Sequence, residues 1–289
     1  MATKELGIFE CEGFHVKEDM YNGYTIDTKY QKFANHKEEF ESKLPEAVSK
    51  WRSKNIKAVW ILVRTAHSGV IEICTKIGFD FHHAQPGYVM LTKWLPEHLE
   101  NRIPGYANQY LGVAGFVVND KNQLLVIQEK FNQIKKHWKL PGGLADKGEN
   151  LAETAKREVF EETGVEAEFI SILGFRHLHQ YRYGCSDWYF VCLMKPLSED
   201  IKPCPHEIEG CKWIDIDEYL KEPDVTPMNR YLAECYKEGR MKHGGLSILP
   251  TDILSYDKKS FQKVYTVQHI RDQATESTLE EEQERSGST

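Results

Sequence analysis

One segment of the chain crowds carboxylates onto a single short helix. Residues 150–163 favour a helix, because they hold no proline and are rich in alanine, leucine, glutamate, lysine and arginine. At about 100° per residue, Glu158, Glu161 and Glu162 share one face. Like charges at this spacing destabilise a helix by about 0.2–0.5 kcal/mol per pair. Since Arg157 is one cation against three anions, the segment predicts a further cation among the carboxylates.

A divalent metal ion would offset this repulsion. Hard ions such as Mg²⁺ take oxygen ligands, bind one or two carboxylates, and complete their coordination with water and substrate phosphates. The alternative is a solvated acidic helix face, which neighbouring glutamates usually indicate. The longer sequence pattern from Gly143 to Val165 favours the metal site over the solvated face. A glycine is followed six residues later by a glutamate, and then by a dense Arg-Glu-x-x-Glu-Glu cluster with Gly-Val behind it.

This pattern resembles the Nudix box, Gly-x5-Glu-x7-Arg-Glu-apolar-x-Glu-Glu-x-Gly-apolar, at every defined position. The chain is similar to the Nudix hydrolases over about residues 110–220. It looks closer still to the animal Nudix type-6 proteins and to the plant hydrolases that act on ADP-ribose and NADH. Outside the box, four segments carry this second likeness: 112–118, 125–129, 138–143 and 186–190.

The resemblance implies an α/β fold, an α+β sandwich with a mixed sheet between helices, preceded by a small acetyltransferase-like α/β leader domain. It also implies a Mg²⁺- or Mn²⁺-dependent diphosphatase that releases AMP from ADP-ribose or NADH, with a small-molecule nucleotide as its substrate. Water attack on a diphosphate needs mainly positioning and charge neutralisation. A dinucleoside polyphosphate or coenzyme A ester is an alternative substrate. The rival function is a weakly active protein that binds a ligand and regulates growth or signalling.

The resemblance assigns roles within the box, residue by residue. The family's catalytic, metal-binding glutamates correspond to Glu158, Glu161 and Glu162. The backbone carbonyl of Gly142 corresponds to a further metal contact. Arg157 corresponds to the arginine that holds the catalytic helix and its carboxylates in place. Glu149 corresponds to the loop glutamate that ties the loop to the helix.

Residues outside the box are expected to complete the site. The general base is either a helix glutamate or a later loop acid. Glu207 and Glu209 lie where such a loop acid is found, and either one is a metal ligand, a base or a surface charge. Arg176 could clamp a phosphate, and Tyr189 or Phe131 could stack on a base. The alternative for each of these three is packing or surface exposure.

Composition limits the partners and the compartment. The net charge of −7 argues against broad nucleic-acid binding. A small basic cluster at 135–139 either attracts substrate phosphates or is simply solvated.

The seven cysteines are odd in number and form no Cys-x-x-Cys motif. This predicts free thiols in a reducing compartment, the cytoplasm, with the nucleus left open. No apolar run approaches the roughly 18 residues of a membrane span, and the start has no secretory core.

The length of 289 residues predicts about two domains. We expect a leader domain over 1–100, a Nudix domain over 108–245, a C-terminal extension over 246–270 and a disordered acidic tail over 271–289, which is too polar to bury. The leader either shapes or covers the active site or mediates a homodimer, and the sequence does not decide between these roles. His82-His83 is expected to be an exposed pair of loop histidines, and the alternative is a pair of ligands.

Hydrophobic periodicity and turn residues predict the remaining elements. Helices are predicted at 37–54, 70–77, 150–163, 215–220 and 228–238. Strands are predicted at 24–27, 58–63, 79–82, 88–93, 112–118, 124–128, 167–175 and 187–194. Strands and helices therefore alternate in both halves of the chain.

Overall fold

The computed structural model describes the chain in five stretches: 7–32, 34–131, 137–242, 246–254 and 261–269. Contacts between residues divide the chain into two compact units, Met1–Ala107 and Asn108–Thr289. The acidic tail predicted at 271–289 lies outside the described residues. The segment expected to be the leader and the box segment therefore belong to different units.

The first unit is built on a six-stranded sheet. Its strands β1–β6 are Ile8–Cys11, Phe14–Glu18, Gly23–Asp27, Ala58–Arg64, Asp80–Gln85 and Tyr88–Trp94. Its helices are α1, Lys37–Ser53, and α2, Ile71–Lys76, which follows the 3-10 turn Thr65–Val70. The sheet order is β1-β2-β3-β4-β6-β5, and only β3 and β4 run parallel.

The core of the first unit forms around α1. Trp51 is fully buried, and its ring meets those of Phe14 and Tyr24 edge-on, with ring centroids 5.6 and 5.7 Å apart. The predicted α1 is confirmed to within one residue. The prediction of loop histidines is wrong: His82 and His83 lie in β5 and are half-buried, and their Nδ1 atoms are 2.7 Å apart. The likeness of this unit to acetyltransferases stays a prediction.

The second unit contains the box. Its strands β7–β14 are Gln109–Val117, Gln123–Glu129, Gly142–Leu144, Ala167–Leu178, Ser186–Pro196, Ile208–Asp215, Leu246–Leu254 and Phe261–His269. Its helices α3–α5 are Leu151–Thr163, Ile216–Tyr219 and Pro227–Lys242. One sheet has the order β14-β13-β10-β11-β7-β9, with β7 and β11 parallel. A second sheet pairs β12 with β8. The result is an α/β unit with mixed sheets and helices, as predicted.

A glycine lets α3 pack directly on the large sheet. A Cβ atom at Gly115 of β7 would lie 2.4 Å from Cγ2 of Val159 and 2.9 Å from Sδ of Met194. Both of these side chains are buried, and so is Ala155 on the same helix. The apolar side of α3 therefore seats the helix on β7.

Several strands were not predicted. Strand β9 has only three residues, two of them glycine, which gives no periodicity to recognise. The hairpin of β13 and β14 falls within the expected C-terminal extension and adds two strands to the edge of the large sheet. Each of the seven cysteines is a free thiol, as predicted. Among the described residues, we find no helix with the length and apolar character that crossing a membrane requires.

Candidate active site

Arg157 lies at the centre of the box and uses all of its hydrogen-bond donors. Its Nε and Nη2 donate to the two carboxylate oxygens of Glu149 at 2.7 and 2.8 Å, and Nη2 also donates to the carbonyl of Leu144 at 3.1 Å. Its Nη1 donates to Glu158 at 2.8 Å and to Glu161 at 3.1 Å. These contacts engage every N–H group that a guanidinium carries. The arginine therefore holds the loop and two helix carboxylates together.

Glu149 joins the loop to the start of α3. Besides its two bonds from Arg157, it accepts from the backbone N–H of Asp146 at 2.8 Å and from the hydroxyl of Thr154 at 3.0 Å. These donors favour the charged carboxylate, with Arg157 foremost, and they lower the pKa of Glu149 to about 2. Glu149 is therefore an anion throughout the physiological pH range, as a bracing residue should be.

Both ends of α3 are determined by local interactions. Asn150 caps the start, where its backbone N–H donates to the carboxylate of Glu153 at 2.8 Å. Gly164 ends the helix in the left-handed conformation, with a φ of 73°, and its N–H donates to the carbonyl of Phe160 at 2.8 Å. The predicted helix is confirmed to within one residue at its start. These interactions fix where the helix begins after the loop and where it ends.

Glu158 lies against the backbone of the box loop. A Cβ atom at Gly143 would lie 2.6 Å from Oε1 of Glu158, so a side chain there would displace this carboxylate. Burial raises the pKa of Glu158, whereas the neighbouring Arg157 favours the charged form. Glycine at position 143 is therefore required for the position of Glu158.

Glu162 is the most buried carboxylate of the box. Only 6% of its surface is exposed, and its Oε2 accepts from the backbone N–H of Gly142 at 2.6 Å. Burial raises the pKa of Glu162 to about 7, although Lys139 and the bond from Gly142 favour its charged form. A Cβ at Gly142 would lie 2.4 Å from the carbonyl of Val113, so only glycine brings this N–H to the carboxylate.

Two charged residues that we did not assign to the site lie beside Glu162. Lys139 forms a short ion pair with Glu129, at the end of β8, and both charges act on the pKa of Glu162. The bridge between Lys139 and Ile127 of β8 holds the lysine there. In the predicted basic cluster at 135–139, Lys135 and Lys136 lie outside the described residues. A charged residue at the end of an apolar strand was the signal that could have identified Glu129.

Glu161 is the most exposed carboxylate of the three, with 58% of its side chain accessible. The described residues contain no group of three or more His, Cys, Asp or Glu side chains converging as metal ligands would. The geometry gives the reason, because Arg157 draws Glu158 and Glu161 towards itself while Glu162 turns to Gly142. The atoms that these glutamates offer a metal ion are nevertheless carboxylate oxygens, which suit a hard divalent ion.

The candidate loop acids lie next to the end of β8. The backbone carbonyl of Glu207 accepts from the N–H of Lys130 at 2.8 Å, and its side chain is exposed. Glu209 is also exposed, in β12. The segment that leads to them passes α3, where the N–H of Cys204 donates to the carbonyl of Glu162 at 3.0 Å. Glu207 therefore lies in the loop between β11 and β12, and Glu209 lies near the start of β12.

The three candidate substrate contacts lie in different surroundings. Phe131 is 78% exposed at the end of β8. Tyr189 is half-buried in β11, and the guanidinium of Arg176 lies over its ring, 5.4 Å from the centroid. Arg176 also forms an ion pair with Asp187, which is 4% exposed. Arg176 and Tyr189 thus contact one another, whereas Phe131 does not share their cluster.

Two family models and several named proteins match this chain. The model described as NUDIX domain matches residues 109–235, and the one described as Nudix hydrolase domain matches residues 14–95. Nudix hydrolase 8 of Arabidopsis thaliana is 36% identical over 272 residues, which are 92% of this chain and 71% of that protein. The chain belongs to the Nudix hydrolases. These enzymes act on small nucleotide substrates and generally use divalent metal ions such as Mg²⁺.

Other Nudix proteins match parts of the chain. Nucleoside diphosphate-linked moiety X motif 6 of Homo sapiens is 39% identical over 206 residues, which are 69% of this chain and 65% of that protein. The Nudix domain of Shewanella oneidensis NrtR, solved as a complex with ADP ribose, is 20% identical with a TM-score of 0.41 and covers 47% of this chain and 91% of its own. The two family models and the Arabidopsis relative confirm the Nudix resemblance of the sequence.

Proposed function

We propose that this Nudix hydrolase cleaves the diphosphate of nucleoside diphosphate derivatives in the presence of Mg²⁺ or Mn²⁺. One observation carries the proposal: Arg157 collects Glu149, Glu158 and Glu161 around its guanidinium, with Glu162 on the same helix bound to the loop. This arrangement concentrates negative charge where a cation would be stabilised.

We assign the box residues two roles, metal binding and positioning. Glu158, Glu161 and Glu162, with the carbonyl of Gly142, would hold the divalent ions. When bound, such ions lower the pKa of water and neutralise phosphate charge. Arg157 and Glu149 position the helix against the loop, and their network keeps the carboxylates close before the substrate arrives. We also propose Glu207 as the loop acid that supplies a further ligand, since its side chain is exposed in the β11–β12 loop, which contacts the box helix through Cys204.

The substrate part of the proposal is ADP-ribose or NADH, with AMP as a product. It is supported by the segments that resemble the ADP-ribose and NADH hydrolases, and by the relatives whose names specify a nucleoside diphosphate-linked moiety. Phe131 is exposed and available to stack on a base. The free thiols support a reducing compartment such as the cytoplasm.

Release of AMP from ADP-ribose, NADH and NAD⁺, and of adenosine 3′,5′-bisphosphate from coenzyme A, with and without Mg²⁺, tests the function. Glu161→Gln and Glu162→Gln each remove a charge but keep the side-chain shape, and we expect each to lower turnover about a hundredfold or more at fixed Mg²⁺. Glu168→Gln, at an exposed position of β10, is the matched control and should keep the original rate.

Undiminished turnover in both box variants would exclude the proposed roles. Tight nucleotide binding by the unaltered chain without metal-dependent turnover would instead favour the regulatory function. Circular dichroism of each variant establishes that the fold has survived.

A further inference from the structure

Two adjacent histidines of the first unit face each other because β5 contains a bulge. Phe81 pairs with Leu91 of β6 and His83 pairs with Met90, so His82 is an extra residue between the two pairs. Successive side chains of a regular strand point to opposite faces, whereas a bulge breaks this alternation. The rings of the two histidines therefore meet, with their Nδ1 atoms 2.7 Å apart.

The chain segment that follows β6 lies against the histidine pair. We call residues 99–106, which form no helix or strand, the strap. The carbonyl oxygen of Pro104 is 2.8 Å from Nε2 of His82. The ring of Tyr106 stacks on that of His83, with centroids 4.5 Å apart and planes 9° from parallel. The strap is therefore attached to β5 through both histidines.

The hydrogen bonds of the pair determine where each ring carries its hydrogen. A carbonyl oxygen only accepts, so Nε2 of His82 donates to Pro104. In the neutral ring, Nδ1 of His82 is then an acceptor, and the hydrogen between the two rings belongs to Nδ1 of His83. Nε2 of His83 is left as an acceptor, 3.4 Å from the hydroxyl of Tyr88. All four ring nitrogens are thus engaged while both histidines are neutral.

This network accepts one added proton but not two. A singly charged pair still has a hydrogen on one Nδ1 and a lone pair on the other. A doubly charged pair has a hydrogen on both, so two N–H groups and two positive rings, with centroids 5.0 Å apart, face each other. His82 cannot turn away without losing the bond to Pro104, and His83 cannot do so without losing its stacking on Tyr106. The second proton therefore acts on the contacts that hold the strap.

The groups that contact the two rings are neutral. Trp60 of β4 meets the ring of His82 edge-on, with centroids 4.9 Å apart, whereas Tyr88 and Tyr106 contact His83. The charged residues on β4, β5, β6 and the strap are Arg64, which lies over the ring of Tyr88, Lys93, which donates to the carbonyl of Ile77, and the exposed Asp80, Glu100 and Arg102.

We propose that His82 and His83 form a pH-sensitive latch, which releases the strap when both rings are protonated. Burial, and then the charge of His82, lower the pKa of His83, so the closed latch binds fewer protons than the open one. The latch is therefore fully closed above about pH 6.5, the ordinary pKa of histidine, and its hold weakens as the pH falls below that value. Release lengthens the free chain before Asn108, where the second unit begins.

Limited proteolysis of the full chain measures the release of the strap. A protease that cleaves after glutamate, and that is active in weak acid as well as weak base, can cut after Glu100 only when the neighbouring residues are free of β5. The cleavage rate then follows the fraction of open latch. A peptide of residues 95–107 corrects for the pH dependence of the protease itself. We expect the corrected rate to rise about tenfold or more from about pH 8 to about pH 5.

His83→Asn tests the latch directly. The amide nitrogen of asparagine can donate from near the position of Nδ1 but does not titrate, so the corrected rates at the two pH values should differ less than about twofold. His36→Asn is the matched control, because His36 is an exposed histidine of the same unit whose side chain does not cap α1. The control should keep the full rise, and a full rise in His83→Asn would overturn the inference.

Tyr106→Ala provides a second measurement that leaves both histidines in place. It removes the stacked ring and the hydroxyl that accepts from Gln85 at 2.8 Å, so cleavage after Glu100 should be about tenfold faster even at about pH 8. An unchanged rate there would show that these contacts do not hold the strap. A rise in weak acid that is matched by cleavage within α1 would also overturn the inference, because it would indicate unfolding of the whole unit.

Nitrogen-15 NMR of the histidine rings tests the hydrogen-bond network itself. At about pH 8 we expect His82 to carry its hydrogen on Nε2 and His83 on Nδ1, because the partner of the other ring nitrogen decides the position of the hydrogen. The signals are assigned by their loss in His82→Gln and His83→Asn. A hydrogen on Nε2 of His83 would contradict the network. None of these measurements depends on the proposed hydrolysis.

Discussion

Two arginines of the second unit, each beside carboxylates, are satisfied to different degrees. Arg157 in the box donates every N–H to three carboxylates and one carbonyl. Arg176 in the large sheet has one carboxylate partner, a sulfur contact and an aromatic ring, and its buried Nε has no partner. The first guanidinium has no donor left for a ligand, whereas the second has one.

This difference predicts how far the loss of each arginine would disturb its surroundings. A saturated guanidinium such as that of Arg157 acts through the carboxylates that it holds, so its removal disturbs the site as a whole. An unsaturated one such as that of Arg176 joins fewer groups, chiefly Asp187 and the ring of Tyr189, so its removal should disturb the fold only locally. The following predictions test whether the two arginines differ in this way.

The largest expected effect is that of Arg157→Lys. Lysine carries the charge but cannot reproduce the forked contacts to Glu149, Glu158 and Glu161. Misplaced carboxylates should lower AMP release about a hundredfold to a thousandfold, or about 3–4 kcal/mol of activation free energy. Arg52→Lys, in the exposed pair of Arg52 with Glu97 at 2.8 Å, is the control and should keep the original rate. Equal rates in the two variants would remove the positioning role.

The next effect concerns the pH dependence of stability without divalent ions. Burial raises the pKa of Glu162 from 4.5 to about 7, so the folded chain holds this proton more tightly than the unfolded chain. The resulting stabilisation is fully present below about pH 4.5 and is lost as the pH rises through about 7. Since one pKa unit corresponds to about 1.4 kcal/mol, the loss is at most about 3 kcal/mol.

Urea denaturation between pH 5 and about 8 measures this loss. Glu162→Gln should flatten the profile, because the amide does not titrate. Added Mg²⁺ should restore more stability at the higher pH, where the carboxylate is free to act as a ligand. A profile that is identical for Glu162→Gln and the unaltered chain would contradict the prediction.

The smallest effect is expected for Asp187→Asn. The substitution leaves the partly exposed guanidinium of Arg176 without its anion, and it should lower the free energy of unfolding by about 1–2 kcal/mol. Asp217→Asn breaks the exposed pair of Asp217 with Lys237, where we expect less than about 1 kcal/mol. Thermal unfolding of the two variants compares a buried partner with an exposed one, and equal shifts would show that burial of Asp187 adds nothing.

Much of the fold followed from periodic patterns. The helices α1 and α3 and the strands β7, β8, β10 and β11 lie within a few residues of their predicted bounds. The elements that were missed have little pattern of their own. Strand β9 exists because its glycines fit against β7, and the β13–β14 hairpin because a sheet edge was available to it.

In the candidate site, too, some residues were predictable from local sequence patterns and others were not. The pattern of the box indicated Arg157, Glu149 and the helix glutamates, because their relation is set by helical spacing and by a short loop. It did not indicate Glu129 and Lys139, which lie beside Glu162 only through the pairing of β8 with the loop before β9. The opposite shifts in pKa of Glu149 and Glu162 were also not predictable, because one carboxylate has several donors and the other is buried.

The amino-acid sequence therefore determined the chemistry of the box, since residues a few positions apart on one helix must share a face whatever surrounds them. Only the tertiary structure decided which of these carboxylates is buried and which is braced by an arginine. It also decided that Arg176 Nε, on a strand, and Asn229 Oδ1, on a helix far along the chain, are buried without a hydrogen-bond partner among the described residues. Burial and long-range pairing depend on how whole elements pack, and no local spacing encodes that packing.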